Sequence, residues 1–304
     1  MIVYAAGLYA SGFGPGLNEF LKLTLERQHY AFALYRDQLS KLESYHYMKP
    51  KYVDLMRRFG HTIFLDSGAF SAMSLGITIN IKHYAKYIHD HKDIIHSASV
   101  LDAVGDAHQT YLNQRELESL GCAVLPCFHF GEDLKWLSYY LDNYEHITIG
   151  GMVPISNTEL RKWLDRIWAS HLSRPDGKSR VKVHGFGLTS LDLIDRYPWY
   201  SVDSTRWIMQ AAFGAMLHPS FGPQLYVTVS DESPQRKRKG ASYHTKPALE
   251  KQRIEEILES EGFSVDDMRK EKAYRGLLNL LCFVRLEEKL KDVTTITHQT
   301  NELF

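Results

Sequence analysis

Residues 62–72 read TIFLDSGAFSA, in which a short apolar run ends in Asp66 and passes through small residues into a helical pattern. The same order recurs from the N-terminus to about residue 231. Because short buried strands that alternate with helices form parallel sheets, this rhythm predicts an α/β fold. The predicted strands are Ile2–Ala6, Thr62–Asp66, Ser97–Asp102, Ala123–Phe128, Ile147–Gly150, Val181–His184, Ser201–Asp203 and Gln224–Val229.

Eight strand–helix units are the number that closes a (β/α)8 TIM barrel, which is the architecture we predict. The barrel is expected to form a catalytic domain over residues 1–235. Residues 236–304 are expected to form a basic loop and C-terminal helices that pack on it. An open, doubly wound sheet is the alternative, because the shortest predicted strands carry the weakest signal.

The composition limits the partners and the location of the protein. The 304 residues are 44% apolar, and 36 basic residues balance 36 acidic ones, so no overall charge attracts nucleic acid or membrane. No segment approaches membrane-spanning length, and the apolar N-terminus lacks a basic start, so we expect no membrane partner. Three cysteines without paired spacing fit a reducing compartment, and the sequence therefore predicts a cytoplasmic protein.

Groups able to bind or react end six successive predicted strands. Each has a structural explanation when taken alone, such as a helix cap for an aspartate or a hydrogen-bonded core position for a histidine. Their shared position at the carboxyl ends of barrel strands, where active sites collect, favours one functional mouth. These groups are Asp66, Asp102, His129, the pair Gly150 and Gly151, His184 and Asp203.

Four short motifs in this region resemble those of the tRNA-guanine transglycosylase superfamily, and within it the phage and bacterial enzymes that insert 7-deazaguanines into DNA. DSGAFS at 66–71 resembles the family's DSGGFQ, and IGGM at 149–152 resembles its base-binding turn. HGFG at 184–187 resembles the glycine pair after strand six, and VDST at 202–205 resembles the nucleophile motif. The resemblance covers about residues 60–210.

The resemblance implies a base exchange that uses two carboxylates. Asp203 would attack C1′ of the nucleotide, expel guanine and hold the sugar as a covalent ester, with Asp66 as the general acid–base. Two displacements would restore the original configuration. Asp102 would select the base by accepting hydrogen bonds from its N1–H and 2-amino groups. Asp106, one helical turn later, is the alternative for this role.

The resemblance also implies how the rest of the base is held. His129 stands in the place of a family glutamine that contacts the other edge of the base. Gly150 and Gly151 would present backbone groups where a side chain would block approach. Phe70 and His184 would cover the two faces of the ring.

Departures from the family point to its DNA-modifying branch. The tRNA enzymes carry a CxCxxC…H zinc site, whereas here Cys282 is the only cysteine after residue 127, so we expect no bound metal and no cofactor. The expected partners are DNA and a free 7-deazaguanine base such as 7-cyano-7-deazaguanine. Protection of a phage genome in the host cytoplasm would suit such an enzyme. The resemblance leaves a homodimer open.

A basic run follows the last predicted strand and is a candidate contact for the nucleic-acid backbone. It comprises Arg236, Lys237, Arg238 and Lys239. A neutral chain needs a local source of positive charge to bind phosphates, although a solvated loop would have the same composition.

Three other functions are alternatives. The first is a transglycosylase that acts on tRNA. The second is a metal-dependent TIM-barrel hydrolase, which would need an HxH pair where the first strand ends in Tyr4-Ala-Ala-Gly7. The third is an inactive nucleic-acid-binding barrel, against which the presence of both Asp66 and Asp203 counts.

Overall fold

The computed structural model describes residues 1–188, 190–222 and 225–301, with side chains up to residue 290. The chain divides into two compact units. The barrel unit comprises Met1–Ala10 and Ser40–Ser204, and the helical unit comprises Ser11–Leu39 and Thr205–Phe304.

Eight parallel strands form the curled sheet of the barrel unit. They are β1 (Ile2–Ala6), β2 (Ser40–Ser44), β3 (Ile63–Asp66), β4 (Ile95–Ala98), β5 (Cys127–His129), β6 (His146–Gly150), β7 (Lys182–Gly185) and β8 (Ser201–Ser204). Their order in the sheet is β4-β3-β2-β1-β8-β7-β6-β5. The (β/α)8 barrel-like fold predicted from the sequence is thereby confirmed.

The two edges of this sheet meet just beyond β4 and just before β5. Ser99 and Leu125 form a parallel bridge there. The amide of Leu125 donates to the carbonyl of Ala98 at 2.8 Å, and the amide of Val100 donates to the carbonyl of Leu125 at 2.9 Å. A buried cluster inside the sheet comprises Tyr4, Ala6, Leu42 and Phe64.

One of the eight strands predicted from the sequence is wrong. Gln224 lies outside the described residues, and Tyr226–Thr228 pairs antiparallel with Ala215–Leu217 in a separate two-stranded sheet of the helical unit. The barrel strand that the sequence analysis missed is β2, whose sequence SKLES has no apolar run. Its Leu42 belongs to the buried cluster, while Glu43 is buried although charged.

Glu43 shows how β2 tolerates a buried charge. Its carboxylate accepts hydrogen bonds from the amide of Tyr9 at 2.6 Å and from that of Ala10 at 3.5 Å. These bonds tie the loop after β1 to the sheet and provide the buried carboxylate with backbone donors. A pattern of apolar runs does not reveal a strand whose charged residue is paired in this way.

Helices connect the strands, and their ends follow ordinary capping chemistry. Four of them begin after a side chain that accepts a backbone hydrogen bond in the first turn, namely Asn80, Asp106, Asp133 and Ser156. The helices of the barrel unit are α2 (Pro50–Phe59), α3 (Ala69–Ser74), α4 (Ile81–Asp90), α5 (Ala107–Ser119), α6 (Leu134–Asn143), α7 (Asn157–Ile167) and α8 (Leu191–Arg196). The helical unit contributes α1 (Leu25–Asp37), α9 (Arg206–Ala212), β9 (Ala215–Leu217), β10 (Tyr226–Thr228), α10 (Ala248–Ser260), α11 (Val265–Lys270) and α12 (Lys272–Asn301).

Buried polar side chains of α12 hold the helical unit together. Asn279 donates to the carbonyl of Trp207 at 2.8 Å and accepts from the amide of Leu217 at 2.6 Å. Arg275 donates to the carbonyl of Ala211 at 3.0 Å.

Across residues 1–188, 190–222 and 225–301, no helix combines the length and the apolar character that crossing a membrane requires.

Candidate active site

Asp66 is the last residue of β3, as the sequence predicted. Its carboxylate accepts a hydrogen bond from the amide of Gly68 at 3.0 Å. Gly68 has a φ of +74°, and a Cβ there would lie 2.7 Å from Cβ of His46, so only glycine fits this turn. The backbone thus orients the Asp66 carboxylate at the end of the strand.

Asp66 can exchange a proton near neutral pH. Burial, followed by the charges of Asp102 and Asp203, raises the pKa of Asp66 to about 7, against the lowering effect of the backbone amides of Gly68 and Ser67. The effect of Asp102 and Asp203 on this pKa indicates that the three carboxylates lie in one region, because neighbouring like charges disfavour ionisation. The structure therefore brings together the three aspartates that the sequence selected.

Asp203 is the third residue of β8 and is 6% exposed. Its Oδ1 accepts a hydrogen bond from the amide of Gly187 at 2.9 Å. Gly187 belongs to the loop after β7 and has a φ of +67°, a left-handed conformation that favours glycine. The loop thereby orients the carboxylate from the adjacent strand.

His184 does not lie where the resemblance implied. It has no exposed surface, so in this conformation it cannot cover a face of a bound base. Its Nε2 lies 3.3 Å from Oδ1 of Asp203, and its Nδ1 lies 2.8 Å from Oγ of Ser201. The rings of Phe64 and Phe186 contact its ring edge-on, with centroids at 4.9 and 4.6 Å. Its position suits support of the Asp203 carboxylate.

His129 is held between two carboxylates. Its Nδ1 lies 3.0 Å from Oε1 of Glu132, whose other oxygen accepts from the His129 amide at 3.0 Å. Its Nε2 lies 3.3 Å from Oδ2 of Asp102. Burial alone would lower the pKa of His129, but neighbouring Cys127 and Asp102 outweigh burial and raise it. The structure therefore joins His129 directly to Asp102, which lies in the loop after β4 and not at the end of that strand as the sequence analysis predicted.

Gly150 makes room for the side chains of Cys127 and His129. A Cβ at Gly150 would lie 3.0 Å from Sγ of Cys127 and 3.0 Å from Cδ2 of His129. Sγ of Cys127 itself lies 3.6 Å from Nε2 of His129. The resemblance implied that this glycine permits close approach of a ligand, whereas the close neighbours in the structure are side chains of β5.

Gly151 and Phe70 are both exposed, and each follows the carboxyl end of a barrel strand. Gly151 follows β6 and has a φ of +69°, and a Cβ there would lie 3.1 Å from the amide of Phe130. Phe70 is 54% exposed on α3, which begins directly after Gly68. Both therefore remain available to a ligand.

A cavity of about 180 Å³ opens between the loops that follow β6 and β7. Gly187, whose amide donates to Asp203, forms part of the cavity wall. Met152 and Leu188 contribute apolar surface to the cavity. Small ligands bind in concave surfaces of this kind, and this one adjoins the loop that orients the Asp203 carboxylate.

Asp106 and the basic run, both predicted to contact the substrate, do not belong to the group of strand-end side chains described above. Asp106 is the N-cap of α5 and accepts from the amide of Gln109 at 2.9 Å, so it already has a structural role. The basic run is exposed in the helical unit and comprises Arg236, Lys237, Arg238 and Lys239. Because the strand before this run is β10 and not a barrel strand, its position no longer supports placing the run at the barrel mouth.

Glu132 and the part played by Cys127 were not predicted from the sequence. Glu132 follows His129 by three residues in HFGE, just after a strand, and this local spacing could have signalled a partner for the histidine. Among the described residues, Asp102, Cys127 and His129 form a group whose donor atoms all lie within 4.8 Å of one another.

No model of a known protein family matches this chain, and neither does any curated protein sequence. The resemblance to the transglycosylases therefore depends on the four motifs and on the side chains that they contribute.

Proposed function

We propose that this protein exchanges guanine in a nucleic acid for a 7-deazaguanine through a covalent intermediate on Asp203. The observation that carries the proposal is the presence, in one region, of two carboxylates whose environments differ. Asp203 is oriented by the amide of Gly187, while Asp66, nearby, has its pKa raised to about 7. Carboxylates in unlike environments are a common arrangement for displacement at a sugar carbon.

The reaction proceeds in two displacements. In the first, an oxygen of Asp203 bonds to C1′, the bond from C1′ to guanine N9 breaks, and Asp66 gives its proton to the leaving base. In the second, the 7-deazaguanine loses its N9 proton to Asp66 and attacks C1′, which releases Asp203. Asp66 thus returns to its protonated form, and the sugar keeps its original configuration.

Asp102 and His129 are the proposed base-selecting pair. Oδ1 of Asp102 is buried and has no hydrogen-bond partner among the described residues, so a base that reached it would meet an unsatisfied acceptor. His129 can present Nε2 toward the same base because Glu132 engages its Nδ1. A charged acceptor beside an imidazole suits the N1–H and O6 edge of guanine.

DNA is the proposed substrate, and genome protection in a phage is the proposed setting. This choice depends on the sequence, which lacks the CxCxxC…H motif of the tRNA enzymes. The test is mass spectrometry of nucleosides from DNA and tRNA of cells that express the protein and are supplied with 7-cyano-7-deazaguanine. A 7-deazaguanosine in tRNA alone would favour the tRNA enzyme, and none in either would count against base exchange.

One observation favours a second candidate, the metal-dependent hydrolase. The first strand lacks the HxH pair, but Asp102, Cys127 and His129 provide three donor types that bind transition metals. A hydrolase would release the free base with water alone, whereas the transglycosylase retains the sugar until a base replaces guanine. Repeated turnover of guanine release without added 7-deazaguanine would indicate the hydrolase, because the transglycosylase stops after one guanine per chain while Asp203 holds the sugar.

A further inference from the structure

Three unlike metal-binding side chains converge where the loop after β4 passes β5. We propose that Asp102, Cys127 and His129 bind one divalent transition-metal ion of the zinc class. The ligand atoms are one carboxylate oxygen, Sγ and Nε2. A fourth position remains for water or for an oxygen or nitrogen of a small ligand, as in catalytic zinc sites. The inference does not depend on the transglycosylase proposal, and a bound ion would take Nε2 of His129 in place of the base.

Two of the three distances between the donor atoms match a tetrahedral ion. Ligand bonds of ordinary zinc length place nitrogen and oxygen about 3.4 Å apart, and nitrogen and sulfur about 3.6 Å apart. Nε2 of His129 lies 3.3 Å from Oδ2 of Asp102 and 3.6 Å from Sγ of Cys127. A charge-assisted hydrogen bond between imidazolium and carboxylate would be shorter, at about 2.8 Å.

Glu132 prepares the imidazole for this role. It lies 3.0 Å from Nδ1 of His129, which leaves Nε2 as the nitrogen directed toward Asp102 and Cys127. A carboxylate behind a ligating histidine fixes its ring and tautomer in many zinc sites. Gly150 contributes space, since a Cβ there would press on both Cys127 and His129.

The charge balance also favours an ion. One carboxylate, one thiolate and one neutral imidazole together offset a divalent cation, so the loaded cluster is neutral, which minimises the cost of burying it. Oδ1 of Asp102 is buried and lacks a hydrogen-bond partner among the described residues. The missing CxCxxC…H motif excludes a thiolate-rich structural site of that kind, but it does not bear on these three residues, of which two lie on β5 and one in the loop after β4.

The test is direct metal binding by the full chain. The purified protein is stripped with chelator, loaded with Zn²⁺ or Co²⁺ and desalted. We expect about one ion per chain by elemental analysis. The cobalt form should show the absorption of a tetrahedral site together with a thiolate-to-cobalt charge-transfer band. C127S should remove that band, and E132Q should weaken Zn²⁺ binding about 10- to 100-fold while retaining all three ligands.

Cys122 provides the matched control, because its Sγ lies 3.5 Å from Nε2 of His89 in a similar thiol–imidazole contact. C122S should bind cobalt like the wild type. Less than about 0.1 ion per chain, or a charge-transfer band lost in C122S and kept in C127S, would overturn the proposal. Should C127S fail to fold by circular dichroism, unchanged zinc affinity in folded E132Q would overturn it instead.

Discussion

The amide of Gly187 donates a hydrogen bond to Oδ1 of Asp203 across 2.9 Å, from the loop after β7 to the neighbouring strand β8. A carboxylate held by one oxygen keeps its other oxygen for a further bond. The left-handed conformation of Gly187 allows the loop to place its amide there. In the proposed reaction this relationship prepares Asp203 to act as the nucleophile.

Replacing Asp203 by Asn should abolish base exchange and the covalent complex while the fold remains intact. The amide can still accept from Gly187, but it is a far weaker nucleophile, and a loss of at least about 1000-fold is expected. Incorporation of labelled guanine and a denaturing-gel shift measure the two effects. D195N, at an exposed position on α8, is the control. Normal turnover by D203N would refute the assignment.

Asp66 should impose a pH dependence on guanine release. Its pKa of about 7 means that the protonated form, which donates to the leaving base, declines as the pH rises through that value. Single-turnover release should therefore fall about tenfold per pH unit above this point. A release rate that stays constant from pH 6 to about pH 9 would rule out Asp66 as the acid.

The same shift predicts a stability change in D66N. Because folding raises the pKa of Asp66 from 3.8 to about 7, the folded state loses stability as the pH rises between these values. Asn carries no charge and can still accept from Gly68. The free energy of unfolding of D66N in chelator should exceed that of the wild type by about 2 kcal/mol at pH 8, after allowance for partial solvent contact. The difference should vanish near about pH 4, as measured by urea denaturation.

Asp102 and Asp106 should behave differently. D102A should weaken guanine binding by about 2–3 kcal/mol, because a buried charged acceptor is lost. D106A removes the N-cap of α5, so it should cost about 1 kcal/mol of stability and leave guanine binding unchanged. Calorimetric titration with guanine and thermal denaturation separate the two. Weaker guanine binding in D106A than in D102A would exchange their roles.

The basic run should contribute to DNA binding through its charges alone. Replacing Arg236, Lys237, Arg238 and Lys239 by Ala should weaken binding at low salt and reduce the salt slope by up to about 3.6. Four scattered exposed lysines of the barrel unit, changed to Ala together, form a charge-matched control: Lys92, Lys135, Lys162 and Lys178. Equal loss in both variants would show that only net charge matters, and no loss in the first would leave the run a solvated loop.

Seven barrel strands and the strand-end positions of Asp66 and Asp203 can be predicted, because parallel strands buried on both faces have apolar sequences and their ends are marked by polar residues. The strand β2 cannot, because Glu43 is stabilised by amides of a distant loop, which no local pattern records. The apolar run Tyr226–Thr228 looks like a barrel strand because its sequence does not reveal its antiparallel partner.

Side-chain roles are harder to predict than strand ends. The motif around His184 implies a place on a ligand face, yet the inward direction of this side chain buries it next to Asp203. Cys127 carries no local signal of a role, because its neighbour Asp102 comes from another part of the chain. Such convergence depends on the tertiary fold.

Between β1 and β2 the chain leaves the barrel unit, and residues 11–39 join residues 205–304 in the helical unit. Phe13, for example, packs edge-on against Trp207, with ring centroids 5.0 Å apart. During synthesis this early segment must therefore wait about ten seconds or longer for its partners to leave the ribosome. Its apolar side chains are exposed in the meantime, so the nascent chain should depend on chaperones, and a truncation that removes residues 205–304 should leave an aggregation-prone segment near the N-terminus.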